Sequence, residues 1–209
     1  MAKPIVRRDA ADGNKGERTR QRIKSAFAGL LDRKSFASIT IADICREADI
    51  TVGGFYFHFA SQDELLNEVM WEYSDGLGHA LDTALRGGSG ERLAAAVCNA
   101  FLAAYEGQNG LASAFQQLTR MRGDYAARWR AANEPRIGLL AENLRGERPD
   151  LKPEKARFLA HALVTMVMSQ LDLVYVYRGP DRAAAKPVRE NVAHNLVMLW
   201  MRMGGRVAA

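Results

Sequence analysis

Apolar residues recur every three to four positions along nearly the whole chain, and no two-residue alternation persists long enough to make a sheet. The pattern predicts an all-α protein of about nine helices. The first, over about 17–33, carries the stripe Ile23, Ala26, Phe27, Leu30 and Leu31. Thr40, with Asp43 three residues on, is a good N-cap for a second helix to about Ala48, whose small apolar face is Ala42, Ile44, Cys45 and Ala48. Asp49-Ile50 has room only for a tight turn. Thr51 then caps a third helix of barely two turns, and Ser61 caps a fourth, over 61–85, with the S-x-x-E spacing of a capping box at Glu64. Gly87-Gly88-Ser89-Gly90 breaks the chain. Helices follow over about 91–106, 111–122 and 125–145, the last capped by Asp124 and expected to kink or break near Asn133 because Pro135 lies inside it. After a loop over 146–153 come a helix over 154–177, apolar on more than one face, and a ninth over 187–203.

Residues 40–66 hold the distinctive chemistry. Two short helices around a tight turn form a helix-turn-helix, whose second helix can enter the DNA major groove. That second helix contains Gly53 and Gly54, each costing about 1 kcal/mol against alanine; a backbone without side chains can approach another surface closely. Phe55, Tyr56, Phe57 and Phe59 follow. Phe55 and Phe59, four apart, are expected to anchor the helix inward, leaving Tyr56 and His58 to point outward.

The run TVGGFYFHFASQDELL resembles the signature of the TetR family of transcriptional repressors: a small or polar pair, an aromatic or Leu, Tyr, any residue, His, Phe, then Ser-Lys-Glu-Glu-Leu. KSFASITIADIC is similar to the family segment before it, and the likeness covers roughly residues 17–75. It implies a DNA-binding domain of three helices (17–62), a fourth helix linking it to the body, and a ligand-binding and dimerisation domain (63–209), while the polar residues 1–16, with Pro4, Gly13 and Gly16, read as a basic flexible arm. Tyr56 and His58 match positions that touch phosphate or the groove edge, although His58 has the alternative of only packing among aromatics. Thr40 and Thr51 offer hydroxyls and helix N-termini to phosphate oxygens. Base edges fall to Val52, Gly53, Gly54, Tyr56 and Phe57, with Val52 suited to a thymine methyl. Gln62 stands where the family usually has Lys; it can hydrogen-bond a phosphate but releases no counterion.

Charge sharpens this reading. Residues 1–60 hold 11 Lys and Arg against 7 Asp and Glu, and the remainder 18 against 17, so most of the net charge of +5 sits at the DNA-binding end. Arg18, Arg20, Arg22 and Lys24 crowd the first turns of helix one, where the dipole disfavours cations; they are read either as phosphate contacts or as a solvated face. Lys3, Arg7, Arg8 and Lys15 of the arm either reach DNA or form a tail without a role. Cys45 and Cys98 lie on apolar faces and are read as small buried hydrophobes, a redox-sensing thiol being the alternative. The histidines and cysteines have no metal-ligand spacing, and no nucleophile–base pair or phosphate loop appears, so no metal, no cofactor and no enzymatic activity are expected. With no leader and no uninterrupted apolar run of membrane-spanning length, a cytoplasmic protein without a membrane partner is expected.

By resemblance, helices five to eight enclose a cavity for a hydrophobic small-molecule effector. The candidate lining is Phe101, Tyr105, Phe115, Leu118 and Met121, then Arg122, Tyr125, Trp129, Met166 and Gln170, each with ordinary core as its alternative. Helices eight and nine carry more apolar surface than one bundle covers and are read as a homodimer interface, suited to a pseudo-palindromic double-stranded operator, or else as plain core. The functional expectation is a dimeric repressor released by its effector. The alternative is an architectural or cell-cycle factor on the same fold, controlled by a protein partner.

Overall fold

The computed structural model describes residues 15–106 and 108–177 and the single positions 194, 197, 198 and 201. All regular structure among them is helical: α1 (Lys15–Leu31), α2 (Ile41–Ala48), α3 (Val52–His58), α4 (Gln62–Arg86), α5 (Gly90–Tyr105), α6 (Asn109–Met121), α7 (Gly123–Glu147) and α8 (Pro153–Leu171). A 3₁₀ turn (Phe36–Ser38) joins α1 to α2, and a π-helical stretch (Asp172–Tyr177) continues α8. The expected arm and nearly all of the expected ninth helix lie outside the described residues; Val197 and Met201 pack against the core, and Met198 is exposed.

The head forms where the local signals place it. The α1 stripe is buried, with Ile23 and Phe27 fully enclosed and Phe36 edge-on to Phe27. Thr40 and Asp43 make a reciprocal capping box: the Thr40 hydroxyl accepts from the Asp43 amide, and the Asp43 carboxylate accepts from the Thr40 amide. Thr51 accepts from the Gly54 amide and Ser61 from the Glu64 amide. Glu64 reaches past Ser61 to the Ala60 amide, so that box closes one residue further out. Asp49, at the end of α2, has φ 51°, a left-handed conformation that Asp tolerates through local hydrogen bonding. Arg22 donates to the carbonyls of Ala48 and Asp49 and satisfies that helix end.

Two expectations for α7 are corrected. The helix begins at Gly123, with Arg122 in the cap position and Asp124 in the first turn, and it runs through Pro135 without a break. Pro135 cannot donate to the Ala131 carbonyl, four residues back, and the helix continues past that one missing bond. Packing on α8, α4 and α6 holds the rest. Both cysteines are buried, and burial pushes the Cys98 thiol up to about 12, which leaves little thiolate for redox chemistry.

In the body, α4 packs on α5, and α7 on α8. Leu163, Val167 and Leu171 of α8 are in the core while Phe158 stands 70% exposed. Pro153–Tyr175 has the length and composition of a membrane span, in spite of its polar interruptions, but about a third of it is buried in the body. Head and body are not joined by α4 alone: α1 also packs on α6.

Candidate nucleic-acid interface and interior cavity

Phe55 and Phe59 are buried, as their spacing predicts, and they orient α3. Its outer face carries Thr51, Val52, Gly53, Tyr56 and Phe57, with Phe57 84% exposed. No charged side chain lies on that face. An ideal Cβ at Gly53 would come no closer than 3.9 Å to Thr51 Oγ1, an ordinary contact, so nothing inside the fold requires glycine there. At Gly54 the Cβ would meet Thr51 Oγ1 at 3.3 Å and Ile50 Cβ at 3.7 Å, so the cap favours a small residue. His58 is half-buried with its ring edge-on to Phe57, and its carbonyl accepts from Arg20.

The polar residues around α3 are more committed than their positions in the chain implied. The Thr40 hydroxyl both accepts from and donates to Asp43, which fills its local role. The Thr51 hydroxyl accepts from Gly54, and a hydroxyl that accepts retains a proton to donate. The half-buried Gln62 spends its Nε2 on Ile39 O at 2.9 Å, tying the start of α4 to the start of α2.

Two of the cations of α1, Arg20 and Lys24, turn toward α4, while Lys15, Arg18 and Arg22 are exposed. Arg20 pairs with Glu68 and lies 4.0 Å over the Phe59 ring. Lys24 is buried and pairs with Glu68 and Glu72. With Arg22 on the end of α2, three of the four cations Arg18, Arg20, Arg22 and Lys24 have partners within the chain. On the surface of the head, Arg33 pairs with Glu47, and Lys34 and Arg46 share Asp43. Hydrogen bonds from the Thr40 amide and hydroxyl, then Lys34 and Arg46, hold the Asp43 carboxyl far below the usual carboxylate range. Arg18 and Lys15 remain exposed at the start of α1.

The proposed cavity residues scatter. Phe115 is the centre of an aromatic cluster with Trp71, Tyr73, Tyr125 and Trp129, in which Trp71 stacks on Tyr125 at 4.4 Å. Tyr105 donates to the buried Asp172 at 2.7 Å and accepts from Gln116, while Arg120 meets Asp172 at 3.1 Å. Burial pushes the Asp172 carboxyl up, and the bonds from Tyr105 and Arg120 offset this only in part. Leu118 and Met166 are half-buried against the core. Met121 and Gln170 face outward, and Arg122 pairs with Asp124 over the Tyr125 ring. A cavity of about 30 Å³, room for a few waters, lies between α4, α5, α7 and α8. Of the ten residues expected, only Phe101 lines it. Its other walls include Leu81, Leu85, Val97, Ile137 and Val164, with Asn133 and Arg136 as polar neighbours. The Arg136 guanidinium is bidentate to Asp82 of α4, at 2.8 and 2.9 Å.

The described residues thus form a helix-turn-helix head that presents an apolar helix, set on a helical body through α4. Residues 25–69 match the family model described as "Bacterial regulatory proteins, tetR family". Over 54 residues, a quarter of this chain, the sequence is 39% identical to an uncharacterized HTH-type transcriptional regulator, YxbF, of Bacillus subtilis; the match covers 14% of that relative's length. The fold is that of a tetR-family regulatory protein from Rhodococcus RHA1 (TM-score 0.70, 16% identity, 91% of this chain and 98% of that one). It is also that of the ketosteroid transcriptional regulator KstR2 of Mycobacterium tuberculosis (TM-score 0.67, 18% identity, 91% and 97%). Residues 25–69 are thus similar to the N-terminal domain of tetR-family regulatory proteins, and the chain as a whole shares their fold.

Proposed function

We propose that this chain is a cytoplasmic dimeric repressor that reads a pseudo-palindromic operator through α3 and is released by a hydrophobic small molecule bound in the body. The observation that carries the DNA-reading part is Gly53. It sits exposed in a helix, at a cost of about 1 kcal/mol, with no neighbour inside the fold that a Cβ would disturb. The reason for its missing side chain then lies outside the chain, where the backbone meets DNA. Val52, Tyr56 and Phe57 around it favour apolar contact and DNA shape over arginine–guanine pairing. Gly53→Ala is therefore expected to raise the melting temperature while weakening binding by about tenfold or more, near 1.4 kcal/mol. The binding partner is a duplex selected from a random pool by the full chain. Unchanged affinity would remove the role of α3 argued here.

Dimerisation is supported by the exposed apolar residues of α8 and the stretch after it, Phe158 and Leu173. Phe158→Glu is expected to lower the mass seen in sedimentation from two chains to one; an unaltered dimer would move the interface elsewhere. The protein-partner alternative draws on the small volume of the body cavity. Release of the selected duplex by a purified small molecule, with no second protein present, decides between the two.

A further inference from the structure

We infer that α3 reads the 5-methyl groups of pyrimidines: thymine is recognised by its methyl, and 5-methylcytosine takes its place, so that cytosine methylation creates contacts for this protein rather than blocking them. This rests on the DNA-reading function proposed above. A duplex is the occupant that the charge of the head favours, with 11 Lys and Arg against 7 Asp and Glu over residues 1–60.

The outer face of α3 is defined by what it lacks. Guanine is read by a cation, adenine by an amide that donates and accepts at once, and cytosine by a carboxylate. None of these groups stands on α3. The amide of Gln62, at the start of α4, spends its Nε2 on Ile39 O at 2.9 Å and is no longer able to fork onto an adenine. The hydroxyls of Thr51 and Tyr56 donate and accept alike, so neither tells a donor on a base from an acceptor. What remains is apolar: Val52 is 49% exposed and Phe57 84%, beside the bare backbone of Gly53. In the major groove the apolar group that projects from a base pair is the thymine methyl, and side chains of this kind contact it. 5-Methylcytosine carries the same group on the same ring carbon. The two bases differ beside it, where thymine accepts and cytosine donates, and there α3 offers only groups indifferent to the change.

The local geometry holds the apolar tips ready. Thr51 caps the start of α3, and at its end the His58 carbonyl accepts from Arg20, whose guanidinium also pairs with Glu68. Buried Phe55 and Phe59 fix the rotation of the helix. The Phe57 ring stands edge-on to the half-buried His58 ring, with centroids 5.2 Å apart, and this brace limits its swing. Gly53 lies one turn before Phe57, and Val52 one turn before Tyr56, so the bare backbone and the tips share two adjacent rows of one face. Without a side chain at Gly53 the helix sinks until those tips meet the base edges.

The test is binding of the full chain to the duplex that it selects from a random pool, read by fluorescence anisotropy, with single base pairs exchanged. Thymine to deoxyuridine removes one methyl and keeps every hydrogen-bonding group. At the contacted thymines it is expected to weaken binding about fourfold, the loss of one buried carbon. A cytosine–guanine pair at the same place is expected to bind at least as weakly, and 5-methylcytosine–guanine to recover most of the loss. In the double variant Val52→Ala with Phe57→Ala, which alters only exposed side chains, the difference between thymine and deoxyuridine is expected to vanish. A methyl effect that acts through duplex stiffness would persist in that variant and overturn the assignment. Deoxyuridine without effect at every thymine, or 5-methylcytosine no better than cytosine, also overturns it. Gly53→Ala keeps the two readings apart. If that substitution weakens binding while the native chain ignores methyl groups, α3 remains the DNA reader and this specificity falls.

Discussion

Gly110→Ala is expected to cost about 3 kcal/mol of stability, at the upper end of the overpacking range. A Cβ at Gly110 would fall 2.2 Å from the Leu31 carbonyl carbon, 2.3 Å from its oxygen and 2.4 Å from the Asp32 nitrogen. These are backbone atoms at the end of α1, so no rotamer change relieves the clash. The α6 N-terminus would have to lift away, and the hydrogen bond from the Gly110 amide to Asp32 Oδ1, 2.9 Å long, would go with it. Leu111 and Ala112, both buried next to it, would be drawn out of their contacts. Urea unfolding is the measurement, with a lower midpoint at unchanged slope as the expected result. A change under 0.5 kcal/mol would mean that the α1–α6 seam is loose. The seam is a second contact between body and head beside α4, and under the proposed function the same variant, folded in the cold, should show altered affinity for the selected duplex.

The second large effect is expected at the clasp between α1 and α4. Lys24 is 4% exposed and meets Glu68 at 3.1 Å, while Arg20 holds the same carboxylate from the other side. Lys24→Met is expected to cost about 2 kcal/mol, below the 3–5 kcal/mol for breaking a fully buried pair, because Glu68 and Glu72 are 28% and 39% exposed and can turn to water. The pH dependence follows from two opposed shifts. Desolvation alone would lower the Lys24 ammonium, but its bonds to Glu72 and Glu68 outweigh that and raise it above 10.5. Desolvation would likewise raise Glu68, but Arg20 and Lys24 bring it below 4.5. The lysine contribution is therefore complete below its unfolded value and fades as pH climbs through the raised one. The glutamate contribution is complete above its unfolded value and fades as pH falls through the lowered one. Melting temperature should be flat through neutral pH and decline on the acid side, and Glu68→Gln should reduce that decline. A variant with the native acid slope would assign acid lability to other carboxylates.

Several parts of this protein were legible residue by residue because their causes are local. Thr40, Thr51 and Ser61 cap the helices they precede, since a side-chain oxygen finds amides only two or three residues away. The Phe55 and Phe59 spacing set the facing of α3, and with it the exposure of Val52, Tyr56 and Phe57. The likeness to tetR-family regulatory proteins is carried by the same short run, which lies within the matched residues 25–69.

Other features depended on partners distant in the chain. Arg20 and Lys24 read as phosphate contacts when only their own helix is considered; Glu68 and Glu72, more than forty residues on, claim them once α4 crosses α1. Pro135 satisfies the local condition for a break, yet packing on α8, α6 and α4 carries α7 through it. Met121 and Gln170 have suitable chemistry for a cavity but sit on the outer faces of their helices, because small differences in helix rotation decide which residues meet inside. Helix content, caps and the helix-turn-helix motif thus followed from hydrogen bonds and apolar spacing within a few turns. The turn of Arg20 and Lys24 toward α4, the Gly110 seam and the Arg136–Asp82 pair were decided only by the packing of whole helices, since their partners share no local pattern that could announce them.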